Sequence, residues 1–423
     1  MITVGEPLPT DGPGERLLRT GILADMLSRR GHDVLWWTSS FDHFAKHQRH
    51  GTDVLQVVED RYRIHQLHAN GYRKNVSLTR LLNHYGLARK FRKHSVLEPR
   101  PEIILSSLPT LELCVEATRY GRKRGIPVVL DVRDLWPDIF LELVPRWGRS
   151  ASRIVLSPLF QAAREACRDA TAILGITPEI VAWGLKYAER APSEWDRDFP
   201  LGYSQVPPPE GETEQAAERW RTRGVGAEDF NLCFFGTIGR QFDLETVIDA
   251  AWRLKEGDRP FRFVICGSGD KLEFYRKKAS GCPNVLFPGW VNRADILALM
   301  QMSAAGLAPY RNKPDFLLSL PNKPLEYLSA GLPVVSSLKG TLKRLLEEHH
   351  CGMTYGEGDP DSLVATLVFL HDHREASYEM SRNARELFAG RFDAEKVYGE
   401  LIGHLERIEE ASRTPGRSGA TVA

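Results

Sequence analysis

The sequence predicts an α/β protein of two doubly wound, Rossmann-like domains facing each other across a cleft. Three observations carry this expectation. Short apolar runs alternate with amphipathic stretches along most of the chain, the pattern of parallel strands covered by helices. Several runs end in glycine-rich turns that lead towards the next helix, as in Phe235-Gly-Thr-Ile-Gly-Arg240 and Cys266-Gly-Ser-Gly-Asp270. At 423 residues the chain is too long for one ordinary domain, and a polar, proline-rich break lies near its middle.

In the first half, residues 2–4 read as a short opening strand. Residues 15–30 carry apolar side chains at positions 17, 18, 22, 23, 26 and 27, one helical face, and Gly31 ends the run. Residues 34–38, 103–106, 128–132 and 172–175 read as core strands. The break at 204–226 contains Pro207-Pro-Pro209 and Glu210-Gly-Glu212 without apolar periodicity, and reads as a linker. In the second half, 232–235, 261–266, 285–287, 304–308 and 334–336 read as strands, with a helix over 244–254. The expected domains are therefore 1–203 and 227–392 on either side of that linker. A charged amphipathic helix at 393–410 is expected to cross back to the first domain, and 411–423 to be a disordered tail.

Composition narrows the class. Hydrophobic residues at 42% and charged residues at 26% describe a soluble globular protein. A net charge of +1 carries no information about partners, so local charge has to. Six cysteines are scattered without a Cys-x-x-Cys pair, several in apolar runs, which points to buried reduced thiols. With no leader-like segment and no apolar run near the ~18 residues that span a bilayer, the expectation is a cytoplasmic protein that is free to touch a membrane surface.

The run Leu320-Pro-Asn-Lys-Pro-Leu-Glu326 puts a lysine and a carboxylate on the first turns of a helix. Orphan N–H groups and the positive dipole end attract an anion there. Lys323 adds a full charge beside Asn322, and Glu326 is placed to accept from sugar hydroxyls. The run therefore reads as a nucleotide-sugar site. Gly236 and Gly239 let the backbone approach a phosphate, and Arg240 can make paired hydrogen bonds to a diphosphate. A plain turn with a solvated arginine is the alternative. Gly267 carries a weaker form of the same signal, and Trp290 of Gly289-Trp-Val291 reads as core or lid. Gly12 and Gly14 flank Pro13 before the first helix, either as a ligand loop or as a helix-entry turn. Asp131-Val-Arg-Asp134 ends a buried strand, where Asp134 can orient or accept the proton of an acceptor hydroxyl. Arg133 either neutralises an acceptor phosphate or pairs with Asp131 to fasten the loop.

Metal signals are poor. Asp196-Arg-Asp198 has the spacing of a chelating acid pair but sits near the linker, and His43, His47 and His50 fit a solvated basic helical face better than a ligand set. No metal or cofactor is expected, because the helix dipole, Arg240 and Lys323 can stabilise a leaving group. Residues 61–97 hold nine lysines and arginines, four histidines and no acid, with Tyr62, Tyr72, Tyr85 and Phe91 interleaved. Leu78, Leu81, Leu82, Tyr85, Leu87 and Phe91 give much of this segment an apolar helical face. Such a face suits an anionic membrane, a solvated helix being the alternative, and no nucleic-acid module is recognisable.

Taken together, these motifs resemble GT-B glycosyltransferases of glycosyltransferase family 4, in particular the bacterial enzymes of O-antigen, capsule and exopolysaccharide synthesis. Gly12-Pro-Gly-Glu-Arg16, Gly31-His-Asp-Val34 and Asp131 to Pro137 carry the likeness in the first half; residues 235–240, 266–270 and 320–335 carry it in the second. The resemblance implies transfer of a sugar from a nucleotide diphosphate, with UDP the expected nucleotide, to a polyprenyl-linked or oligosaccharide acceptor with retention of configuration. It implies donor contacts from Gly236, Gly239, Arg240, Gly267, Asn322, Lys323 and Glu326, and acceptor contacts from Gly12, Gly14, Arg16 and Arg133. Asp134, Arg240 and Lys323 would be catalytic. The family carries two glutamates eight residues apart; the second is Glu326, but the earlier position is Leu318, leaving Asp315 or the backbone of 319–322 to substitute. The rival readings are an epimerase of the same fold, a non-catalytic member and a membrane-surface scaffold.

Overall fold

Apolar runs become strands in this chain where both faces are covered, and the computed structural model describes residues 1–12, 15–142, 144–226, 228–255 and 260–413. They form two units: Met1–Gly202 together with the chain from Ala394 onward, and Tyr203–Asp393.

The first unit contains β1 (Val34–Ser39), β2 (Val54–Glu59), β3 (Tyr62–Leu67), β4 (Ile104–Ser107), β5 (Val128–Val132), β6 (Ala172–Gly175) and β7 (Arg197–Asp198). They are ordered β1-β3-β2 and β4-β5-β6-β7. Ile2 joins the two sets by pairing in parallel with Trp37 on one side and Ser106 on the other. Its N–H donates to the Leu105 carbonyl (2.8 Å) and its carbonyl accepts from Ser107 (2.9 Å). The opening residues therefore lie at the centre of the sheet, where the direction of strand addition reverses and the following loops diverge.

The antiparallel β2–β3 pair corrects the reading of 61–97 as largely helical. Residues 62–67 are a mostly buried strand, and the helix spans only Leu78–His94. Arg63, His65 and Gln66 set among Tyr62, Ile64 and Leu67 hid the strand. Residues 43–50 also form turns rather than a helix, so His43, His47 and His50 share no helical face.

The first helix runs Arg19–Arg29, four residues later than the apolar spacing suggests. Buried polar contacts set its start. Glu6 accepts from the Thr20 N–H (2.9 Å) and hydroxyl (2.7 Å). Arg19 donates to both Asp131 oxygens at 3.0 Å and to the carbonyls of Phe199 and Pro200. Arg133 donates to Asp131 (2.7 Å), to Thr20 (3.0 Å) and to Glu6. Burial alone would favour the neutral acid, but the Arg133 and Arg19 charges outweigh it and hold Asp131 at about 2. Its stabilising contribution is therefore complete above the ordinary carboxylate range and disappears as pH falls through about 2. Asp131→Asn is expected to cost ~3–5 kcal/mol, because it leaves two guanidinium groups short of a charged partner, and a urea melt at neutral pH reads this directly.

The helix Ala394–Arg413 completes the core of this unit. Val397, Tyr398, Leu401, Ile402, Leu405 and Ile408 pack with Leu23, Met26, Leu105, Val129 and Leu174. It continues three residues beyond the expected end at 410; the rest of the expected tail, 414–423, lies outside the described residues.

The second unit is a parallel sheet of β8 (Phe230–Phe235), β9 (Phe261–Cys266), β10 (Val285–Gly289), β11 (Ala305–Ala308), β12 (Val334–Ser336) and β13 (Gly352–Thr354), in the order β10-β9-β8-β11-β12-β13. The expected linker carries a helix, Glu212–Thr222, that buries Ala216 and Trp220. Trp220 donates to the Asp295 carbonyl (2.8 Å) and Arg219 pairs with the Asp295 carboxylate (2.7 Å). Two apolar residues one turn apart among charged ones gave too little periodicity to see. All six cysteines are buried and unpaired, and burial pushes the Cys233 thiol up to about 12. Among the described residues no helix is long and apolar enough to cross a membrane.

Candidate functional site

In the second unit strand addition reverses between β8 and β11, so the loops after these strands open around the carboxyl edge of the sheet. Backbone alone lines one side. The Gly236 N–H donates to the Cys266 carbonyl (3.1 Å), Ile238 to Ser268 (2.8 Å) and Gly267 to Gly289 (2.7 Å). Gly236 and Gly267 hold φ of 137° and 131°. A Cβ on Gly267 would overlap the Gly236 carbonyl, so the two strand ends can touch only because neither has a side chain.

Lys323 closes the other side. Its Nζ and Cε occupy the place a Gly236 Cβ would take, and the ammonium lies 4.8 Å from the Phe242 ring centroid and 5.5 Å from that of Phe234. Asp243 fixes the loop that carries these groups. It accepts from the Thr246 hydroxyl (2.7 Å) and the Gly358 N–H (3.0 Å), and pairs with Arg311 (3.3 Å).

Lys323 is the second residue of the helix Asn322–Ser329, which follows Pro321 and has no side-chain cap. In its first turn Asn322 and Lys323 carry backbone N–H groups, whereas Pro324 carries none. Glu326, one turn further, is 8% exposed and accepts from the Tyr203 hydroxyl at 3.0 Å. Burial and, after it, the Glu326 carboxylate push the Tyr310 phenol up, which marks Tyr310 as another neighbour. Tyr203 escaped the sequence reading because it borders a polar segment with no motif. Its backbone N–H donates to the Phe392 carbonyl (2.9 Å), which brings it to the helix.

Among the expected donor residues, Gly236, Gly267 and Lys323 come together, and Asn322 and Glu326 share the lysine's helix. Gly239 lies in the same loop, where its carbonyl accepts from Phe242 (3.3 Å). The Arg240 side chain is 80% exposed, with Asp270 4.0 Å away. Leu318 ends the short helix Pro314–Leu318, and Asp315 lies in its first turn. Trp290 is 77% exposed, which corrects its reading as core.

In the first unit, Gly12 has open space around its Cβ direction and Arg16 is exposed, whereas Gly14 lies outside the described residues. Asp134 is exposed just after β5, while the adjacent Arg133 is bonded within its own unit as described above. Asp196 is taken up by Arg190, the Ser193 N–H and hydroxyl and the Ile173 N–H. Among the described residues no group of three or more His, Cys, Asp or Glu side chains is arranged to hold a metal ion.

Residues 229–373 match the family model of glycosyl transferases group 1. D-rhamnosyltransferase WbpZ of Pseudomonas aeruginosa is 31% identical over 184 residues, 43% of this chain and 45% of that protein. The putative teichuronic acid biosynthesis glycosyltransferase TuaH of Bacillus subtilis is 27% identical over 37% of this chain and 39% of its own. The chain thus spans less than half the length of these curated relatives. Over its whole length it superposes on sucrose-phosphate synthase from Thermosynechococcus elongatus with a TM-score of 0.71 at 15% identity, covering 97% of this chain and 98% of that one. Anabaena HepE in complex with UDP-glucose gives 0.64 at 16% identity, covering 96% and 99%. The likeness to these structures establishes the GT-B fold, with two Rossmann-like units.

Proposed function

We propose that this protein is a glycosyltransferase that moves a sugar from a nucleoside diphosphate donor, a UDP-sugar, to a hydroxyl of a saccharide or lipid-linked acceptor in bacterial cell-surface polysaccharide synthesis. Configuration is retained and no metal takes part. One observation carries the reading: Lys323 reaches the bare Gly236 backbone from a helix whose next turn presents buried Glu326, all within the region that matches the transferase model. A diphosphate fits the ammonium, the uncapped helix start and the glycine rim, with Arg240 added from the loop. Glu326 accepts from the ribose. As the glycosidic bond lengthens, Lys323, Arg240 and the helix N–H groups take up the charge growing on the leaving diphosphate. The first unit handles the acceptor through the loop of Gly12, Gly14 and Arg16 and through Asp134, which orients the attacking hydroxyl; Arg133 holds the loop in shape.

The test is a screen of nucleotide-sugars for thermal stabilisation of the full chain, followed by product analysis of the hits with and without polyprenyl-linked and oligosaccharide acceptors. UDP-sugar stabilisation and acceptor-dependent UDP release support the reading. Conversion of the donor with no acceptor present indicates an epimerase instead.

We also propose that the first unit docks on an anionic membrane. The helix Leu78–His94 buries Leu87 and Phe91 inward, while Leu78, Leu82 and Tyr85 are 79%, 64% and 68% exposed at a spacing that shares one outer face. Arg73, Lys74, Arg89, Arg92 and Lys93 are exposed around it. Leu78→Ser with Leu82→Ser is expected to reduce co-sedimentation with phosphatidylglycerol vesicles by roughly tenfold or more, from the apolar area lost. Equal sedimentation of both proteins would remove this face from the account.

A further inference from the structure

An aromatic row leads out of the donor region of the second unit. Phe234, Phe242 and Tyr310 are buried, with ring centroids 4.9 Å apart for the first pair and 4.7 Å for the second. Phe316 continues the row 4.9 Å beyond Tyr310 and is only half-buried. Lys323 lies against Phe234 and Phe242, and Tyr310 neighbours Glu326, so the row borders both charged groups before it reaches the surface. Leu317 and Leu318 follow Phe316 on the short helix Pro314–Leu318 and are half-buried as well. An apolar patch therefore stands at the surface just before the helix that carries the lysine and the glutamate.

This patch is held in place and has few polar groups to offer. A Cβ on Gly340 would overlap the Leu317 carbonyl, so the loop after β12 packs directly on the short helix. Arg311 pairs with Asp243 (3.3 Å) and faces Glu357 (3.9 Å). Asn312 donates to the Ser337 carbonyl (3.0 Å) and to Glu357 (2.9 Å), and accepts from the Lys339 N–H (2.7 Å). Both polar side chains that lead into the helix are thus engaged within the protein. Asp315 is the one acid on the helix, three residues before Leu318 and on the same face. A group lying along that face meets a carboxylate at one end and carbon at the other.

We propose that the sugar carried by the donor is a 6-deoxyhexose, whose methyl group packs on Phe316 and Leu318 while Asp315 accepts from its ring hydroxyls. The proposal rests on reading the second unit as the nucleotide-sugar side. With the ribose at Glu326 and the diphosphate at Lys323, one turn nearer the helix start, the sugar falls beyond that start, beside residues 316–318. A primary hydroxyl placed against these side chains would lose its water without gaining a partner. A methyl group in the same place gains from leaving water. The remaining hydroxyls of a 6-deoxyhexose sit on the ring, where a single carboxylate can accept from two of them.

The test is calorimetric titration of the full chain with UDP, UDP-glucose and UDP-6-deoxyglucose, the two sugars differing by one oxygen. UDP-6-deoxyglucose is expected to bind ~10–100-fold tighter than UDP-glucose. Leu318→Gln puts a donor and an acceptor where carbon stood, and is expected to reduce that ratio at least ~5-fold. The ratio cancels any effect of the substitution on the nucleotide itself. Phe316→Asn gives the same reading should the Leu318 variant fail to fold. Equal affinity for the two sugars, tighter binding of UDP-glucose, or a ratio that neither variant moves overturns the sugar assignment, while UDP binding in the same titrations upholds the donor site. UDP-N-acetylglucosamine binding tighter than UDP-6-deoxyglucose also overturns it, since an acetyl methyl would then be what meets the patch. Absence of UDP binding sinks the donor reading and the sugar assignment together.

Discussion

Glu326→Ala is expected to weaken binding of UDP and of the UDP-sugar by ~10²–10³-fold, since two hydrogen bonds from a ribose diol to a carboxylate are worth about 1.5–3 kcal/mol each. The residue is buried and already accepts from Tyr203, so its carboxylate is held in place before a ligand arrives. Pre-positioning of this kind spares the ordering cost that a free side chain would impose. Glu326→Gln keeps an acceptor for Tyr203 and loses the charge, and should fall between wild type and alanine. Calorimetric titration with UDP measures the loss, and the melting temperature of the unliganded variant separates it from misfolding. Near-normal turnover in the alanine variant would sink the donor assignment.

Lys323→Met should lower kcat by ~10²–10³-fold with a smaller change in KM, because its charge matters most when the diphosphate leaves. Arginine should not restore the rate. The ammonium fits between the Gly236 backbone and the Phe242 ring, where a broad planar guanidinium would have to displace one of them. Arg240→Gln should cost less, since that side chain is largely solvated in the unliganded chain. Steady-state kinetics on the three variants order the cations; an equal effect of Lys323→Met and Arg240→Gln would mean that the loop arginine carries as much charge stabilisation as the helix lysine.

Sequence patterns revealed the parallel strands best where apolar runs are uninterrupted, as in β8 and β9. They revealed the glycine-lined rim because glycines at strand ends have a local signature. They failed on β2, an edge strand that Gln56 and Glu59 interrupt, on β3, where Arg63, His65 and Gln66 break the apolar run, and on β13, three half-buried residues. The helix Glu212–Thr222 was hidden because two buried residues sufficed to dock it. Distance along the chain set the other limit. Arg19 meets Asp131 and Glu6 meets Arg133 from more than a hundred residues away, Tyr203 meets Glu326 across a similar span, and none of these pairings leaves a trace in local spacing. Arg133 illustrates the ambiguity: its sequence context fitted a ligand contact or a fastening pair, and only its bonds to Asp131, Glu6 and Thr20 separate the two.

The return of the last helix to the first unit reverses the order in which the two halves can mature on the ribosome. Everything the second unit needs has been translated by Asp393, whereas the first keeps an open hydrophobic trough beside Leu23, Met26 and Val129 until residues 394–413 emerge. The half encoded first is therefore finished last, and a message cut short before codon 394 would yield one mature lobe tethered to a sticky, chaperone-dependent one.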